Sequence, residues 1–267
     1  MNINQKLIRA AEFNPTEKSH KLTVLSMCQQ IEKQQITLPL YQRDMSWNLH
    51  KCISLLNYQL LGKAPVSPLS VNAINDLQDY VPQVSFITRE IVKDMSRTQI
   101  SIVDGQQRLT TNYKAYTDSE DFRNIVLDLI KGRFLLVEGA IERYQIPVGK
   151  LLNKEDSVFY SYVMNSKYLR KENVLPVLLQ CRTKIRNYYY TINQADDLSE
   201  DEQIEWFEVL NNAGSRVSII QMRFSKLKAH GIDVYTQYTH VYRNKVQEYG
   251  YDFFTPQKTN VSYSIAA

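Results

Sequence analysis

The sequence has few of the residues on which thiol and metal chemistry depend. Its 267 residues include three cysteines and four histidines. Cys28, Cys52 and Cys181 are odd in number and show neither CxxC nor metal-ligand spacing, and no two histidines form an H-x-x-x-H pair. These absences argue against a disulfide scaffold and against a zinc hydrolase. We interpret the cysteines as unpaired core thiols in a reducing compartment.

Glycine motifs and long apolar runs are also missing. The eight glycines form neither G-x-x-x-x-G-K-[ST] nor G-x-G-x-x-G, so there is no phosphate loop and no dinucleotide fingerprint. No apolar run approaches the ~20 residues of a membrane span, and the first six residues have no apolar signal core. The sequence has no histidine-rich HNH finger and no acid-x-Lys triplet. We therefore expect a cytoplasmic protein without membrane association and without a recognisable nuclease site.

What is present is typical of an ordinary folded protein. Apolar residues make up 43% of the chain and charged residues 22%, which excludes a disordered or low-complexity sequence. The length equals about 1.8 domains of ~150 residues. We interpret residues 1–150 as the core of the fold. Residues 151–267 are interpreted as a mainly helical extension that completes the same unit, with a loose tail at 250–267.

Charge is unevenly distributed, although the net charge is only +4. One segment without basic residues contains Asp196, Asp197, Glu200, Asp201, Glu202, Glu205 and Glu208. A following segment without acidic residues contains Arg216, Arg223, Lys226 and Lys228. Acids at a helix start and bases further along suit the helix dipole. The same basic residues, Arg216, Arg223 and Lys226 in particular, would also suit contact with phosphate or DNA.

The spacing of apolar residues predicts helices mixed with short strands, an α+β pattern. Helices are predicted at about 21–34, 49–62, 109–116, 155–165, 171–187 and 201–212. Strand-like runs occur at 36–39, 69–74, 84–92, 98–103 and 188–192, and a strand pair is predicted within 133–148.

The most informative segment is Asp104-Gly105-Gln106-Gln107-Arg108, between a strand-like run and a predicted helix. A glycine turn that opens a helix presents backbone N–H groups and the positive end of the helix dipole, which suit a phosphate. A capping box, with Asp104 as N-cap and Gln107 reaching back to it, explains the same residues except Arg108. A cation in the first helical turn is unfavourable unless an anion faces it. A further interpretation makes Asp104 a ligand of Mg²⁺.

A second cluster, Tyr41-Gln42-Arg43, follows the extended run that ends at Pro39. An arginine in this position can bind a phosphate through two parallel hydrogen bonds, and Tyr41 or Trp47 can stack on a base. The structural alternative is that Trp47 packs in the core and Arg43 pairs with an acid.

A third segment runs from Phe207 to Ser218. Asn211 and Gly214 are typical of a helix C-terminal stop, and Ser218 is typical of the N-cap of a following helix. Turn chemistry is sufficient to explain this segment, and ligand contact by Arg216 or Lys226 is the open alternative.

Together the three segments resemble the DGQQR-motif domain, the N-terminal domain of GmrSD-type modification-dependent restriction systems and of related phage-defence proteins such as SspE. The matching pieces are Leu38-Pro39-Leu40-Tyr41-Gln42-Arg43 with Trp47, Ile102-Val103-Asp104-Gly105-Gln106-Gln107-Arg108-Leu109-Thr110-Thr111, and Phe207-x-x-Leu210-Asn211-x-x-Gly214 leading to Val217-Ser218. The resemblance covers about residues 20–230. Asn112 departs from the pattern, because the family usually has an apolar residue there.

The resemblance implies a ParB/sulfiredoxin-like mixed-sheet core that binds and hydrolyses a nucleoside triphosphate (NTP). The implied nucleotide-binding residues are Gln42, Arg43, Gly105, Gln106 and Arg108. For such a reaction we expect Asp104, Gln107 and Arg108 to be the catalytic residues, with Asp104 positioning either Mg²⁺ or the attacking water. Relatives usually continue into an HNH-type nuclease domain that is not recognisable here, so we expect a regulatory or sensor subunit that works with a separately encoded nuclease or effector.

Two other functions remain open at this point. The chain would serve as a non-catalytic DNA-binding or modified-DNA-sensing module if the same arginines contact phosphates of DNA. It would serve as a protein-interaction regulator if the acidic segment at 196–208 recognises a partner.

Overall fold

The computed structural model describes residues 3–42, 47–78, 80–96 and 98–211, together with Ile232, Lys245 and Glu248. The helices are α1 (Gln5–Glu12), α2 (Val24–Glu32), α3 (Leu49–Leu61), α4 (Gln106–Tyr116), α5 (Val148–Leu151), α6 (Asp156–Asn165), α7 (Leu175–Arg186) and α8 (Glu200–Asn211), with a 3₁₀ turn at Glu120–Phe122. No helix within these ranges is long and apolar enough to cross a membrane.

The strands form two sheets. They are β1 (Ser19–Thr23), β2 (Ile36–Pro39), β3 (Leu69–Ile74), β4 (Gln83–Val84), β5 (Gln99–Asp104), β6 (Ile125–Asp128), β7 (Arg133–Leu136), β8 (Gln145–Pro147) and β9 (Tyr189–Asp196). The larger sheet has the order β1-β9-β3-β5-β2-β4 and the smaller one β7-β6-β8. The predicted α+β class is confirmed.

The larger sheet is mixed. β9 runs parallel to β3 and β2 parallel to β5, whereas β1–β9, β3–β5 and β2–β4 are antiparallel. Since β9 lies between β1 and β3, a strand from the second half of the chain is placed inside the sheet built by the first half. The segment at 151–211 therefore contributes one strand of this sheet as well as helices α6, α7 and α8.

Two clusters of buried apolar side chains hold these elements together. The first lies against the larger sheet with helices α2 and α4, and includes Met27, Leu38, Val71, Ile102 and Leu109. The second joins α3, α6 and α7 to the smaller sheet, and includes Leu56, Leu127, Phe134, Phe159 and Ile185. Cys28 and Cys52 are buried in these clusters and are unpaired, as predicted.

A closed set of polar side chains, centred on Asn112, lies inside the core. The Asn112 amide donates to Gln59 Oε1 at 2.8 Å and its Oδ1 accepts from Tyr190 Oη at 2.9 Å. Gln59 Nε2 donates to Tyr190 Oη at 3.0 Å and to Asn112 Oδ1 at 3.2 Å. All three residues are at most 2% exposed. A buried amide is tolerated at this position because Gln59 and Tyr190 supply its hydrogen bonds.

Several boundaries differ from those predicted. The helix expected at 21–34 begins at Val24, because residues 19–23 pair with β9 and the Thr23 hydroxyl caps α2 by accepting from the Ser26 amide. The run at 84–92 forms only the end of β4 and one bridge, Val84 with Ile91. The two strands found within 133–148 do not pair with each other, since both pair with β6.

Candidate functional site

The DGQQR segment forms a sharp turn from β5 into α4. Asp104 is the last residue of β5, and Gly105 is the N-cap of α4 with φ +100° and ψ 7°. A Cβ atom at position 105 would lie 2.1 Å from Leu69 Cδ2, which is well inside van der Waals contact. Both the left-handed backbone and the close approach to β3 therefore require glycine.

The start of α4 is the feature that suits an anion. Its N-cap, Gly105, has no side chain to cap the helix, and the first bond between turns runs from the Leu109 amide to the Gly105 carbonyl at 3.1 Å. The positive end of the helix dipole lies at this first turn, so this end of α4 favours negative charge.

Arg108 faces an acid supplied by the chain itself. Its Nη2 donates to Asp104 Oδ2 at 3.0 Å and to the Pro68 carbonyl at 3.1 Å, and its Nη1 donates to the Ser67 carbonyl. The Arg108 side chain is 12% exposed and that of Asp104 is 30% exposed. Arg108 therefore fixes the turn to the loop that enters β3, and Asp104 supplies an anion opposite a cation in the first helical turn.

The capping-box interpretation is wrong, because the N-cap is Gly105 and not Asp104. The Asp104 carboxylate is bonded to Arg108 one turn further on. Gln107 Oε1 accepts the backbone N–H of Trp47 at 3.1 Å, which ties the first turn of α4 to the chain just before α3.

Gln42 joins the second predicted cluster to this turn. Its Nε2 donates to the carbonyl oxygens of Ile102 and Val103 at 2.6 and 2.7 Å, and Arg89 donates to its backbone carbonyl. The Gln42 side chain is buried, and among the described residues its Oε1 has no hydrogen-bond partner. Gln42 is thus attached to the last residues of β5 before the motif.

The aromatic residues of this cluster are structural. Trp47 packs against the second apolar cluster, as the structural alternative predicts. Tyr41 is 6% exposed, and its hydroxyl donates to Gln203 Oε1 on α8 at 3.3 Å. Burial raises the pKa of Tyr41, so its phenol stays neutral and donates. In this arrangement Tyr41 does not present a face for base stacking.

The fold thus brings together Gln42, Asp104, Gly105, Gln107 and Arg108. Gln106 is buried at the start of α4. The remaining predicted site residues, Arg43, Arg216, Arg223 and Lys226, lie outside the described residues.

Sequence reasoning missed the residues that hold the motif from β3. The carbonyls of Ser67 and Pro68 bind Arg108, and the Leu69 side chain closes the space beside Gly105. Backbone carbonyls carry no sequence signal, and the only indication was Pro68 directly before a strand-like run.

The acidic segment at 196–208 is largely used within the fold. Asp196 pairs with Lys18, and Asp197 accepts the backbone N–H groups of Asn75 and Asp76 at 2.6 and 3.0 Å. Glu200, Asp201 and Glu202 lie in the first turn of α8, where the helix dipole favours acids. Within the described ranges, no three His, Cys, Asp or Glu side chains are grouped as metal ligands.

Comparison with known proteins agrees with the motif. Residues 24–228 match the family described as the GmrSD restriction endonuclease, N-terminal domain. No curated protein matches the chain. The matched region contains β2, the DGQQR turn and the whole larger sheet except β1. The chain therefore belongs to the GmrSD N-terminal domain family, and membership implies a role in a restriction or phage-defence system.

Proposed function

We propose that this chain binds an NTP at the start of α4 and hydrolyses it with Mg²⁺. It would act as a regulatory or sensor subunit that controls a separately encoded nuclease or effector. The observation that carries the proposal is the Gly105 turn, which opens α4 in a left-handed conformation without a side-chain cap. Such a turn lets a phosphate approach the backbone N–H groups closely.

Arg108 and Asp104, the charged pair beside the turn, would have different roles. Arg108 positions the turn through Asp104 and the two carbonyls, which account for three of the five N–H groups of its guanidinium. A γ-phosphate bound at the helix start would compete with Asp104 for the same guanidinium. Arg108 would then stabilise the negative charge that develops on the phosphate, while Gln107 places the attacking water.

Asp104 would supply a single carboxylate ligand to Mg²⁺. Its carboxylate is a hard oxygen ligand and is partly exposed, although Arg108 occupies one oxygen. One carboxylate is enough where the phosphates of the substrate and water molecules complete the coordination of Mg²⁺. Asp104 would hold the ion, and the bound ion would neutralise charge on the phosphates.

The test is NTP binding and phosphate release by the full chain, with and without MgCl₂. Asp104→Asn keeps an oxygen that can accept from Arg108 but removes the negative charge. We expect this variant to fold and to bind NTP, with turnover lowered by about 100-fold or more. Arg108→Ala should lose binding as well as turnover.

Arg123→Ala is the matched control, because Arg123 pairs with Glu120 at an exposed site and both side chains are more than 60% exposed. It should leave NTP binding and turnover unchanged. Absence of NTP binding by the unmodified chain would overturn the proposal, and turnover at the normal rate by Asp104→Asn would overturn the role of Asp104. DNA binding that weakens with salt, without phosphate release, would favour the non-catalytic DNA-binding alternative.

A further inference from the structure

A cavity of about 310 Å³ is lined by residues of α2, α6 and α7, none of which belongs to the DGQQR turn. Asp156 and Tyr160 lie four residues apart on α6. Leu179, Thr183 and Asn187 follow one another at intervals of four along α7 and its C-cap. Residues at this interval share one face of a helix. The cavity therefore lies where one face of α6 and one face of α7 meet.

Two arginines and one acid come together at this cavity. Arg182 Nη2 and Arg186 Nη1 both donate to Asp156 Oδ1, at 2.6 and 2.7 Å. The Arg182 side chain is 5% exposed, and it also donates to the carbonyls of Leu151 and Asn153, so its role is structural. Two positive charges and one negative charge give this group a net charge of +1.

Arg186 carries a donor that the described part of the chain does not satisfy. Asp156 accepts from its Nη1, whereas its Nε is buried and has no hydrogen-bond partner among the described residues. A buried N–H group without an acceptor is costly, and such groups are rare in folded proteins. Nε and Nη2 form an edge of the guanidinium that can bind a carboxylate through two parallel hydrogen bonds. Arg186 lines the cavity, so a ligand there could supply the missing acceptor.

The rest of the cavity wall is partly apolar. Leu25 of α2 and Leu179 of α7 are half-buried, and Tyr160 adds an aromatic ring. Thr183 and Asn187 add a hydroxyl group and an amide group. Apolar side chains with a few converging polar groups are typical of small-molecule sites, which range from about 300 to 1,000 Å³. The volume of this cavity suits a ligand at the small end of that range.

The net charge of the group favours one kind of anion. A monocarboxylate would balance the charge of +1. A phosphate dianion would leave an excess negative charge close to Asp156, which like-charge repulsion disfavours. The planar carboxylate also matches the planar edge of the guanidinium.

We propose that this cavity binds a small organic monocarboxylate with an apolar body. The carboxylate binds the Nε–Nη2 edge of Arg186, and the apolar body packs against Leu25, Leu179 and Tyr160. The bound acid connects α2, which packs on the larger sheet, to the helices of the second apolar cluster, so it stabilises the folded chain. The inference goes beyond the proposed function, because it concerns a separate site and a different class of ligand.

The test is binding of benzoate to the full chain, measured by isothermal titration calorimetry and by the shift in melting temperature. Benzamide is the control ligand, because it has nearly the same shape without the negative charge, and inorganic phosphate is the dianion control. We expect benzoate to bind with a Kd of about 1 mM or below. Benzamide and phosphate should bind about tenfold or more weakly. No benzoate binding at ~10 mM, or equal or tighter binding of either control ligand, would overturn the proposal.

Arg186→Gln tests the receptor for the carboxylate. It removes the positive charge, so benzoate should bind about tenfold or more weakly and lose its advantage over benzamide. Arg123→Gln is the matched control, because Arg123 is exposed and pairs with Glu120 outside the cavity, and it should leave the affinity for benzoate unchanged. Equal affinities in the two variants would overturn the role of Arg186.

Asp156→Asn tests the charge argument in the opposite direction. The amide oxygen still accepts from Arg182 and Arg186, but the negative charge is gone. We expect benzoate to bind about threefold or more tightly, because two guanidinium groups then face the ligand without a competing anion. Unchanged or weaker binding by a folded Asp156→Asn protein would overturn the charge argument. NTP turnover should stay normal in all these variants, so this proposal and the nucleotide proposal can fail separately.

Discussion

The guanidinium of Arg108 and the carboxylate of Asp104 face each other across one turn at the start of α4, with Nη2 and Oδ2 3.0 Å apart. This pair bridges the first and last residues of the DGQQR sequence. Because the same guanidinium binds the carbonyls of Ser67 and Pro68, Arg108 holds the motif against the loop that enters β3.

Arg108→Ala should therefore lower stability as well as ligand binding. The substitution leaves two backbone carbonyls and the Asp104 carboxylate without their donor, and we expect a loss of about 1–3 kcal/mol in the free energy of unfolding. Urea unfolding followed by circular dichroism measures it. Arg108→Lys should lower the free energy of unfolding by less, because it keeps the positive charge. Some loss should remain, since a lysine cannot bridge three acceptors. An unchanged unfolding midpoint for Arg108→Ala would contradict the prediction that Arg108 stabilises the fold through these contacts.

Three glycines allow backbone strain and steric clash to be separated. Gly105→Ala combines a left-handed φ with a contact of 2.1 Å to Leu69 and should cost about 3 kcal/mol or more. Gly132→Ala has φ +65° but nothing within 4 Å, so about 1 kcal/mol is expected. Gly139→Ala has neither feature and should be close to neutral. The order of the three unfolding midpoints is the measurement, and a Gly105→Ala protein as stable as Gly132→Ala would contradict it.

The contribution of the buried Asn112 amide to stability should depend on its hydrogen-bond partners, Gln59 and Tyr190. Asn112→Leu leaves Gln59 and the Tyr190 hydroxyl short of partners in a buried site, at a cost of about 1–3 kcal/mol. Adding Gln59→Leu removes most of the unsatisfied groups, so the double variant should be more stable than Asn112→Leu alone. A double-mutant cycle measures this coupling. Purely additive losses would mean that the two amides act independently.

The stability of the chain should depend on the ionisation of Asp156. Hydrogen bonds from Arg182 and then Arg186 hold the pKa of Asp156 below its ordinary value near 3.8. A carboxyl group whose pKa is lowered by folding contributes stability above its unfolded pKa, and the contribution is lost as the pH falls through the folded pKa. The unmodified protein should exceed Asp156→Asn in melting temperature at pH 7 and should approach it near pH 3. The difference should be small, because Asp156 is largely exposed. A difference that does not change with pH would contradict the assignment.

The cysteines should differ in reactivity towards a thiol reagent under native conditions. Burial raises the pKa of all three thiols, so accessibility is what distinguishes them. Cys28 and Cys52 are at most 1% exposed, whereas Cys181 is only half-buried on α7 and should react first. Counting the thiols that react with Ellman's reagent before and after urea addition should give one and then three. Rapid reaction of three thiols in the native protein would contradict the burial of Cys28 and Cys52.

Much of the fold could be predicted where an apolar pattern was long or ended in a strong signal. The strand at 69–74 was predicted at its observed bounds, and α3 ends one residue before Gly62, as expected. β6 was missed because Ile125-Val126-Leu127-Asp128 is a short buried run, which periodicity alone cannot distinguish from a helix segment. The start of α2 was misplaced because β1 is defined by pairing with residues about 170 positions away, and no local pattern reveals such a partner.

The sequence named candidate site residues but did not reveal the contacts that they make with the rest of the fold. The sequence indicated that an anion must face Arg108, and the fold supplies Asp104 from within the same motif. Gln42 was assigned beside the motif, and it does bind the end of β5. The links from Gln107 to Trp47 and from Arg108 to Ser67 use backbone groups. Such contacts depend on tertiary structure. Because a backbone group is the same in most residues, they do not require a particular residue type and cannot be predicted from the sequence.

The position of β9 between β1 and β3 has a consequence for synthesis. Ser19 pairs with Asn193, 174 positions later in the chain. At ~5–20 residues per second a ribosome needs roughly 10–35 s to make that interval. Once β3 has been made, the nascent chain holds two strands, β1 and β3, whose shared neighbour β9 does not yet exist. Long-range pairing of this kind also slows folding. We therefore expect the protein to be most prone to aggregation while its nascent chain still lacks β9.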